Sequence, residues 1–239
     1  MLKISNLHNW LSPLPNEILA EIESLMSVRT LVDGEALYHL GDKANELYQV
    51  VEGVIKCNMH SHDGKEVVIA TFLSGDTFGE LGLLDGLPRA ANTLAVGNTT
   101  IRTLNKKNFN RLSLKYPEIN AQLLVMFSHR MRMAFTINTD SLTLTLNKRL
   151  ARYIHRIAVS RSVNENNDND VLIDISHEEL GRILGASRQS ISKELKQMEK
   201  DGLLEIKYGK VIIKGSHIFS SQYDYLIGHN QITPDYSEE

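Results

Sequence analysis

The stretch FGELGLLDGLPRAA, residues 78–91, constrains the fold and chemistry of this chain more than any other. Its small residues let the backbone of a tight turn approach a ligand closely, and bare N–H groups on such a turn attract anions. Arg89 adds a planar, permanently charged fork that suits phosphate oxygens. Glu80 accepts hydrogen bonds and repels phosphate, so it suits a neutral hydroxyl. The pattern is typical of a site for a sugar hydroxyl beside a phosphodiester. The simpler interpretation is a surface turn in which Glu80 and Arg89 pair with each other or face water.

Dipeptides that contain glycine recur at roughly regular intervals in the sequence around this stretch. From Thr30 to Leu104, β-branched runs alternate with AspGly at 33, GlyAsp at 41, GluGly at 52, AspGly at 63, GlyAsp at 75 and GlyAsn at 97. YQVVEGVIKCNM and EVVIATFL between them are predicted strands. Regularly spaced turn signals are typical of successive hairpins in a sandwich or barrel. We therefore predict an all-β roll in which residues 78–91 are the one irregular insert.

Helical patterns flank this region. Apolar residues at helical spacing predict a short helix from about Pro15 to Met26. A longer stripe predicts a helix of about seven turns from Pro117 to roughly Ser141, made of Ile119, Leu123, Phe127, Met131, Ala134 and Ile137. This stripe packs either on its own roll or on a twin helix across a two-fold axis. The threonines of Ser141–Thr145 then weaken the helix and predict a hinge. A further helix is predicted from about Asn147 to Arg161.

The sequence ISHEELGRILGASRQSISKELKQMEKDGLLEI, residues 175–206, predicts two short helices joined by a tight turn. Ser176 and Glu179 form a capping box for the first helix, and Ser187 caps the second. Ile191, Leu195 and Met198 face inward. LLEIKY and KVIIKG, joined by a TyrGly turn at 208, predict a β-hairpin wing. The polar residues that face outward, unless they are merely solvated, are candidates for DNA contact: Ser187, Arg188, Gln189, Ser192, Lys193 and Lys196.

Composition excludes several classes of protein. The 239 residues are 42% hydrophobic, with a net charge of −3 and a pI near 6.3. Residues 146–215 contain thirteen Lys or Arg and ten Asp or Glu. The slight positive charge of this region is compatible with DNA binding but does not by itself indicate it. One cysteine, Cys57, allows neither an intrachain disulfide nor a cysteine-ligated iron–sulfur cluster, and we expect it in the core. His60 and His62 have a spacing that suits a metal, but an exposed hairpin tip is the preferred interpretation.

No long apolar run and no leader pattern occur, so we expect a cytoplasmic protein without a membrane span. No motif brings together a nucleophile, a base and an orienting group. We therefore expect neither enzyme activity nor catalytic residues, and no bound metal or prosthetic group.

The 78–91 stretch closely resembles the phosphate-binding cassette of cyclic-nucleotide-binding domains, through its final ProArgAlaAla. The resemblance implies that Glu80 takes the ribose 2′-hydroxyl and Arg89 the cyclic phosphate. It also implies that the backbone around Gly79, Leu81, Ala90 and Ala91 completes the cradle.

With the winged motif included, residues from about Pro15 to Lys214 resemble the CRP/FNR family of bacterial transcription regulators. The resemblance implies an α+β fold with a cyclic-nucleotide-binding β-roll, or jelly roll (1–116), a long dimerisation helix and hinge (117–145), a winged helix-turn-helix (146–215) and a tail (216–239). It implies base contacts by Arg188, Gln189 and Lys193. Expected partners are double-stranded DNA, a second copy of the chain and RNA polymerase.

The resemblance leaves the effector open. Ala134 and Phe135 fall where members that bind cyclic AMP carry a threonine and a serine that reach the adenine, whereas Arg130 falls where the family often has an arginine that braces Glu80. Cyclic AMP is the first expectation, and cyclic GMP, another nucleotide, haem or no effector are the alternatives. The alternative from another class is a cyclic-nucleotide regulatory subunit of a partner protein, which has no use for a winged helix-turn-helix.

Overall fold

The computed structural model describes residues 2–4, 7–161, 171–207, 210–213, 222–223 and 232–234. The chain divides into two compact units, one of Asn6–Ser128 and one of Met1–Ser5 with His129–Glu239. Each has its own hydrophobic core and is described by itself. Within the described ranges, no helix combines the length and the hydropathy needed to span a bilayer.

An antiparallel β-roll forms the first unit, as predicted. In chain order, after β1 (Leu2–Ile4) of the second unit, its elements are α1 (Asn16–Ser24), β2 (Ser27–Leu31), β3 (Ala36–Tyr38), β4 (Glu46–His60), β5 (Glu66–Phe72), β6 (Thr77–Phe78), α2 (Leu81–Asp85), β7 (Asn92–Asn105) and α3 (Lys106–Lys115). In its sheet, β2, β7, β4 and β5 lie side by side in that order. The short strand β3 pairs with β7, and the short strand β6 pairs with β4.

Two of the predicted turns are absent from this roll. GluGly at 52 lies inside β4, and GlyAsn at 97 lies inside β7. The pairing of β4 with β7 shifts register between Val50 and Val54, which marks bulges rather than a hairpin. Gly53 has φ +91°, and a Cβ there would lie 2.6 Å from the Thr99 hydroxyl. The glycine therefore signals a close approach of two long strands, which sequence alone does not distinguish from a turn.

Helices close one end of the roll around a second core. Ile18 and Ile22 of α1 are buried, which confirms the face predicted for that helix. They pack with Trp10, with Leu112 of α3 and with the first turns of the next helix. The inner core of the roll contains Cys57, whose burial confirms the prediction. His60 and His62 are exposed beside the turn at Ser61–Lys65.

The long helix α4 runs over Pro117–Thr143. Ile119, Leu123 and Met126 are buried in the core of the first unit. Further along, Met131 is 55% exposed and Ile137 is 52% exposed. Among the described residues, the predicted stripe is thus buried in its first half and exposed at Met131, Ala134 and Ile137.

The predicted hinge at Ser141–Thr145 is shorter in the structure. The α4 helix continues to Thr143, and α5 (Leu146–Arg161) begins after two residues. The Ser141 and Thr143 hydroxyls donate to the carbonyl oxygens of Asn138 and Thr139, at 2.8 and 2.7 Å. These bonds satisfy the polar side chains within the helix, so low helix propensity does not end it.

The second unit has a winged helix-turn-helix arrangement, as predicted. After α5 come β8 (Val171–Asp174), α6 (His177–Leu184), α7 (Arg188–Lys200), β9 (Leu204–Lys207), β10 (Lys210–Ile213) and β11 (Ile232–Pro234). The hairpin of β9 and β10 confirms the predicted wing. The β8 strand, which was not predicted, pairs antiparallel with β10 and makes a three-stranded sheet. Its four residues, VLID, are too few to show an alternation.

Part of the tail belongs to this unit. Tyr223 is 6% exposed within the core of the winged unit, and β11 pairs in parallel with β1. The predicted polar loop at 163–170 and the TyrGly turn at 208 lie outside the described residues, as does most of the tail from Ser216.

Candidate functional site

The 78–91 stretch forms a tight turn and a short helix between two strands. Phe78 ends β6, Gly79 has φ +85°, and α2 follows from Leu81 to Asp85. Gly86, in the left-handed region, ends that helix. The chain then returns to β7, so both ends of the stretch are fixed by the sheet.

Arg89 is the centre of this site. Its side chain is buried, and the residue is 5% exposed. Its Nη1 donates to the carbonyl oxygen of Gly79 at 2.7 Å and its Nη2 to that of Glu46 at 2.6 Å. A longer contact of 3.3 Å joins Nη2 to the Tyr48 hydroxyl. Arg89 thus does not pair with Glu80, and the guanidinium is fixed by two main-chain acceptors instead.

Two aromatic rings cover the guanidinium. Its Cζ lies 4.2 Å from the ring centroid of Tyr38 and 5.4 Å from that of Tyr48. Burial raises the pKa of Tyr48 to about 12 and raises the pKa of Tyr38 well above its ordinary value, while the Arg89 charge opposes both shifts. Both phenols are therefore neutral at physiological pH, and their rings offer electron-rich faces to the cation.

One donor of Arg89 is left for a ligand. No acceptor in the described part of the chain lies within hydrogen-bonding distance of its Nε, which is shielded from solvent. A buried donor without an acceptor is destabilising unless another group supplies one. Glu80, 1% exposed, is also buried in this turn. The site therefore combines a buried carboxylate with a fixed guanidinium that has an N–H left to donate.

The remaining residues predicted for the ligand divide between the two units. Leu81 is 49% exposed, Ala90 is exposed and Ala91 is half-buried, all at the cassette. Arg130, Ala134 and Phe135 lie on the part of α4 that belongs to the second unit. Arg130 is half-buried, Ala134 is exposed and Phe135 is 64% exposed. Their contacts with a ligand stay predictions.

Sequence reasoning missed the partners that hold Arg89. Tyr38 and the carbonyl group of Glu46 lie 51 and 43 residues from it in the chain, so no local motif connects them. Tyr48 lies on a predicted strand, and alternation along that strand gives it an inward direction. That was the one available signal, and it does not identify Arg89 as the neighbour.

The second predicted site is built by α6 and α7. The Ser176 hydroxyl accepts from the Glu179 N–H, and the Ser187 hydroxyl accepts from the Ser190 N–H, both at 3.1 Å. Gly185 ends α6 in the left-handed conformation. A Cβ on Gly181 would lie 2.6 Å from the Ala186 carbonyl oxygen, so this glycine lets the turn fold tightly against α6. The predicted serine caps of both helices and the turn at Gly185 are confirmed.

The α7 helix has the predicted division of faces. Ile191, Leu195 and Met198 are fully buried. On the opposite face Ser192 is half-buried, and the exposed residues are Ser187, Arg188, Gln189, Lys193 and Lys196. Burial, and then the positive charges of Arg188 and Lys196, lower the pKa of nearby His177. Arg188 and Lys196 therefore place positive charge on the exposed face of α7, close to His177, and positive charge there suits the phosphate oxygens of DNA.

The two halves match two families of domains. Residues 28–116 match the cyclic nucleotide-binding domain, and residues 148–215 match the Crp-like helix-turn-helix domain. Together the fold and these matches define a DNA-binding regulator with a cyclic-nucleotide-binding domain. The chain belongs to the CRP/FNR family of transcription regulators.

Individual relatives are similar over most of the chain. A "CRP-like cAMP-activated global transcriptional regulator" of Mycobacterium tuberculosis is 24% identical over 202 residues, which cover 84% of this chain and 90% of that protein. The "cAMP-activated global transcriptional regulator CRP" of Escherichia coli is 28% identical over 178 residues, covering 74% and 84%. A CooA variant from Carboxydothermus hydrogenoformans has a similar fold, with a TM-score of 0.75 at 19% identity over 90% of this chain and 95% of that one.

Proposed function

We propose that this chain is a transcription regulator whose DNA binding is controlled by a cyclic nucleotide. The observation that carries the proposal is Arg89, held at 5% exposure with an Nε donor that has no acceptor in the described part of the chain. A phosphate oxygen would supply that acceptor. Glu80, 1% exposed, would accept from the ribose 2′-hydroxyl.

The charges at the cassette favour a singly charged ligand. The opposite charges of Glu80 and Arg89 leave little excess positive charge to neutralise a triphosphate, whereas one phosphodiester needs only one arginine. The N–H groups around Leu81, Ala90 and Ala91 would complete the cradle. A cyclic nucleotide fits this combination of one hydroxyl and one phosphodiester.

Cyclic AMP is the effector we propose first. The two relatives described above are both named as cAMP-activated. Neither Ala134 nor Phe135 has a side chain that hydrogen bonds to a base edge, so Phe135 would contribute by stacking on the base. In this proposal Arg130 braces Glu80. Cyclic GMP, another nucleotide, haem or no effector are the competing outcomes of the test below.

The proposed DNA-bound state is a homodimer on a palindrome whose half-sites lie ~34 to 36 Å apart. Arg188 would read a guanine and Gln189 an adenine, with Lys193 as a third base contact. Ser187, Ser192 and Lys196 flank these residues on the same face. RNA polymerase is a further proposed partner, and the cytoplasm is the proposed compartment because the target is genomic DNA.

The exposed half of α4 supports the dimer. Four apolar side chains of this half are roughly half to three-quarters exposed, namely Met131, Phe135, Ile137 and Leu142. So many exposed apolar residues along one helix are unusual for a monomer, and a twin helix would bury them.

A regulatory subunit of a partner protein is the rival function. It shares the cassette but has no use for the exposed Arg188 and Lys193 on a capped, well-packed α7. Failure to bind any specific duplex, with or without nucleotide, would favour this rival. An enzyme is not proposed, because Glu80 and Arg89 are both used in binding.

Thermal unfolding tests the effector. We expect cyclic AMP to raise the midpoint temperature of the wild-type protein over a concentration series. At a ligand concentration of 100 times Kd, the free energy of unfolding should increase by about 2.7 kcal/mol. The Arg89→Ala variant should show no ligand-dependent rise, whatever its own midpoint. A larger rise with cyclic GMP would reassign the base preference. No rise with either nucleotide would overturn the proposed effector class.

A further inference from the structure

A ladder of stacked aromatic rings runs through the roll and ends at Arg89. Phe72 stacks on Phe78 at 4.8 Å between centroids, and Phe78 on Tyr48 at 5.2 Å. Tyr48 stacks on Tyr38 at 5.9 Å, and the Tyr38 ring lies 4.2 Å from Cζ of Arg89. Phe72 and Phe78 belong to the inner core of the roll. The guanidinium therefore lies on the end of a column that is rooted in the core.

The last ring of this column restricts a motion that the hydrogen bonds of Arg89 still allow, which is tilting of the guanidinium. The carbonyl oxygens of Gly79 and Glu46 fix Nη1 and Nη2 at the edge of the guanidinium plane. They do not prevent it from tilting out of that plane, because carbonyl acceptors tolerate a broad range of angles. A ring face at 4.2 Å blocks the tilt on one side and attracts the cation. Without that ring, the direction of the Nε–H would be poorly defined.

We propose that Tyr38 is a positioning residue for the effector: its ring holds the Arg89 guanidinium so that Nε faces the incoming phosphate. The proposal rests on the proposed function and adds to it a residue outside the cassette. The role belongs to the ring face and not to the hydroxyl, because the ring lies against Cζ, whereas the hydroxyl of Tyr48 is the one that contacts Nη2. Phenylalanine should therefore replace Tyr38, and leucine should not.

The first arm of the test measures the affinity of the full chain for cyclic AMP and for cyclic GMP by calorimetry. We expect Tyr38→Phe to bind within about twofold of wild type. We expect Tyr38→Leu to bind about 5 to 30 times more weakly, the range of a partly to fully desolvated cation–π contact. Tyr116→Leu is the matched control, because Tyr116 also has a cation, the Lys115 ammonium, 4.8 Å from its ring but does not contact Arg89. It should bind as wild type does.

The second arm needs no nucleotide. The Nε–H resonance of Arg89, assigned by its loss in Arg89→Lys, should be shifted upfield by the ring current and exchange slowly in wild type and in Tyr38→Phe. It should lose both properties in Tyr38→Leu. Failure of wild type to bind either nucleotide would overturn the proposed function, while this arm still decides whether Tyr38 holds Arg89. An unchanged resonance in Tyr38→Leu, or equal weakening by Phe and Leu, would overturn the inference.

Discussion

The absence of one Cβ atom at Gly79 lets Arg89 take its position. A Cβ on Gly79 would lie 2.9 Å from Nη1 of Arg89 and 3.1 Å from the Tyr48 ring, and the backbone there has φ +85°. The same glycine supplies the carbonyl oxygen that accepts from Nη1. Conformation, space and hydrogen bonding thus all depend on this position.

Gly79→Ala should lower the free energy of unfolding by more than backbone strain alone would. We expect a loss of about 2 to 4 kcal/mol, since strain at positive φ costs about 1 to 3 kcal/mol and the displaced contacts add to it. Gly64→Ala is the matched control, with φ +79° and no atom within 4 Å of the added Cβ. Urea denaturation measures both free energies of unfolding. Equal losses would show that Arg89 and Tyr48 move aside without cost.

Arg188 is the residue on which DNA specificity should depend most. It is exposed in the first turn of α7, directly after the Ser187 cap. Arg188→Ala should weaken binding of the preferred operator by about 1 to 3 kcal/mol and relax discrimination at one base pair. Titrations on single-base operator variants measure both effects.

The control variant removes the same positive charge as Arg188→Ala, but at a site away from α7. Arg29→Ala removes an exposed arginine of the first unit, which is paired with Glu35 at 2.7 Å. It should leave the base preference intact. If Arg188→Ala weakened all duplexes uniformly, the residue would contact phosphate and not a base.

At the scale of elements, a buried ion triad joins α4 to α5. Oδ1 of Asp140 lies 2.5 Å from Nη1 of Arg152, and its Oδ2 lies 3.1 Å from Nη2 of Arg156. All three residues are less than 10% exposed. Burial lowers the pKa of Arg152, and Asp140 opposes that shift. The carboxylate therefore compensates two desolvated cations at the junction of the two helices.

Asp140→Asn should be strongly destabilising, because it removes the carboxylate charge that compensates two buried guanidinium groups. We expect a loss of about 3 to 5 kcal/mol, measured by urea denaturation with far-ultraviolet circular dichroism. Glu178→Gln makes the same chemical change in an exposed pair, since Arg182 and Glu178 lie 2.6 Å apart with side chains 34% and 62% exposed. It should cost less than about 0.5 kcal/mol. Similar losses in the two variants would show that the triad is not a structural requirement.

The elements that sequence predicts well are those whose signals are local. Serine caps and a C-terminal glycine define α6 and α7 because each cap bonds to a backbone group three residues away. The dipeptide Glu52–Gly53 gives a turn signal inside a predicted strand, because the cause of the glycine, the close approach of Thr99, lies on another strand. The hinge was overestimated because hydroxyls such as that of Thr143 bond back into the helix. The cassette was recognised as one contiguous string, whereas the aromatic and carbonyl partners of Arg89 are tertiary and carry no local pattern.

For the whole molecule, α4 has two different roles along its length. Its first turns bury Ile119 and Leu123 in the first unit. Its later turns expose Met131 and Ile137, which lack cover in the described part of one chain. Two copies that pair these turns would bury the apolar residues and present two α7 helices, as a palindrome requires. Dimerisation and operator binding should therefore fail together when this surface is changed.

Ile137→Glu should separate the copies, because a pair of like charges at a two-fold interface is both desolvated and repulsive. We expect sedimentation velocity to show a monomer at concentrations where wild type is a dimer. Affinity for a palindrome should fall by at least tenfold. Asn110→Glu, at an exposed position of α3, adds the same charge away from α4 and should leave both properties unchanged. A dimeric Ile137→Glu protein would move the interface elsewhere on the chain. A monomeric protein that still bound the palindrome at wild-type affinity would separate dimerisation from DNA recognition.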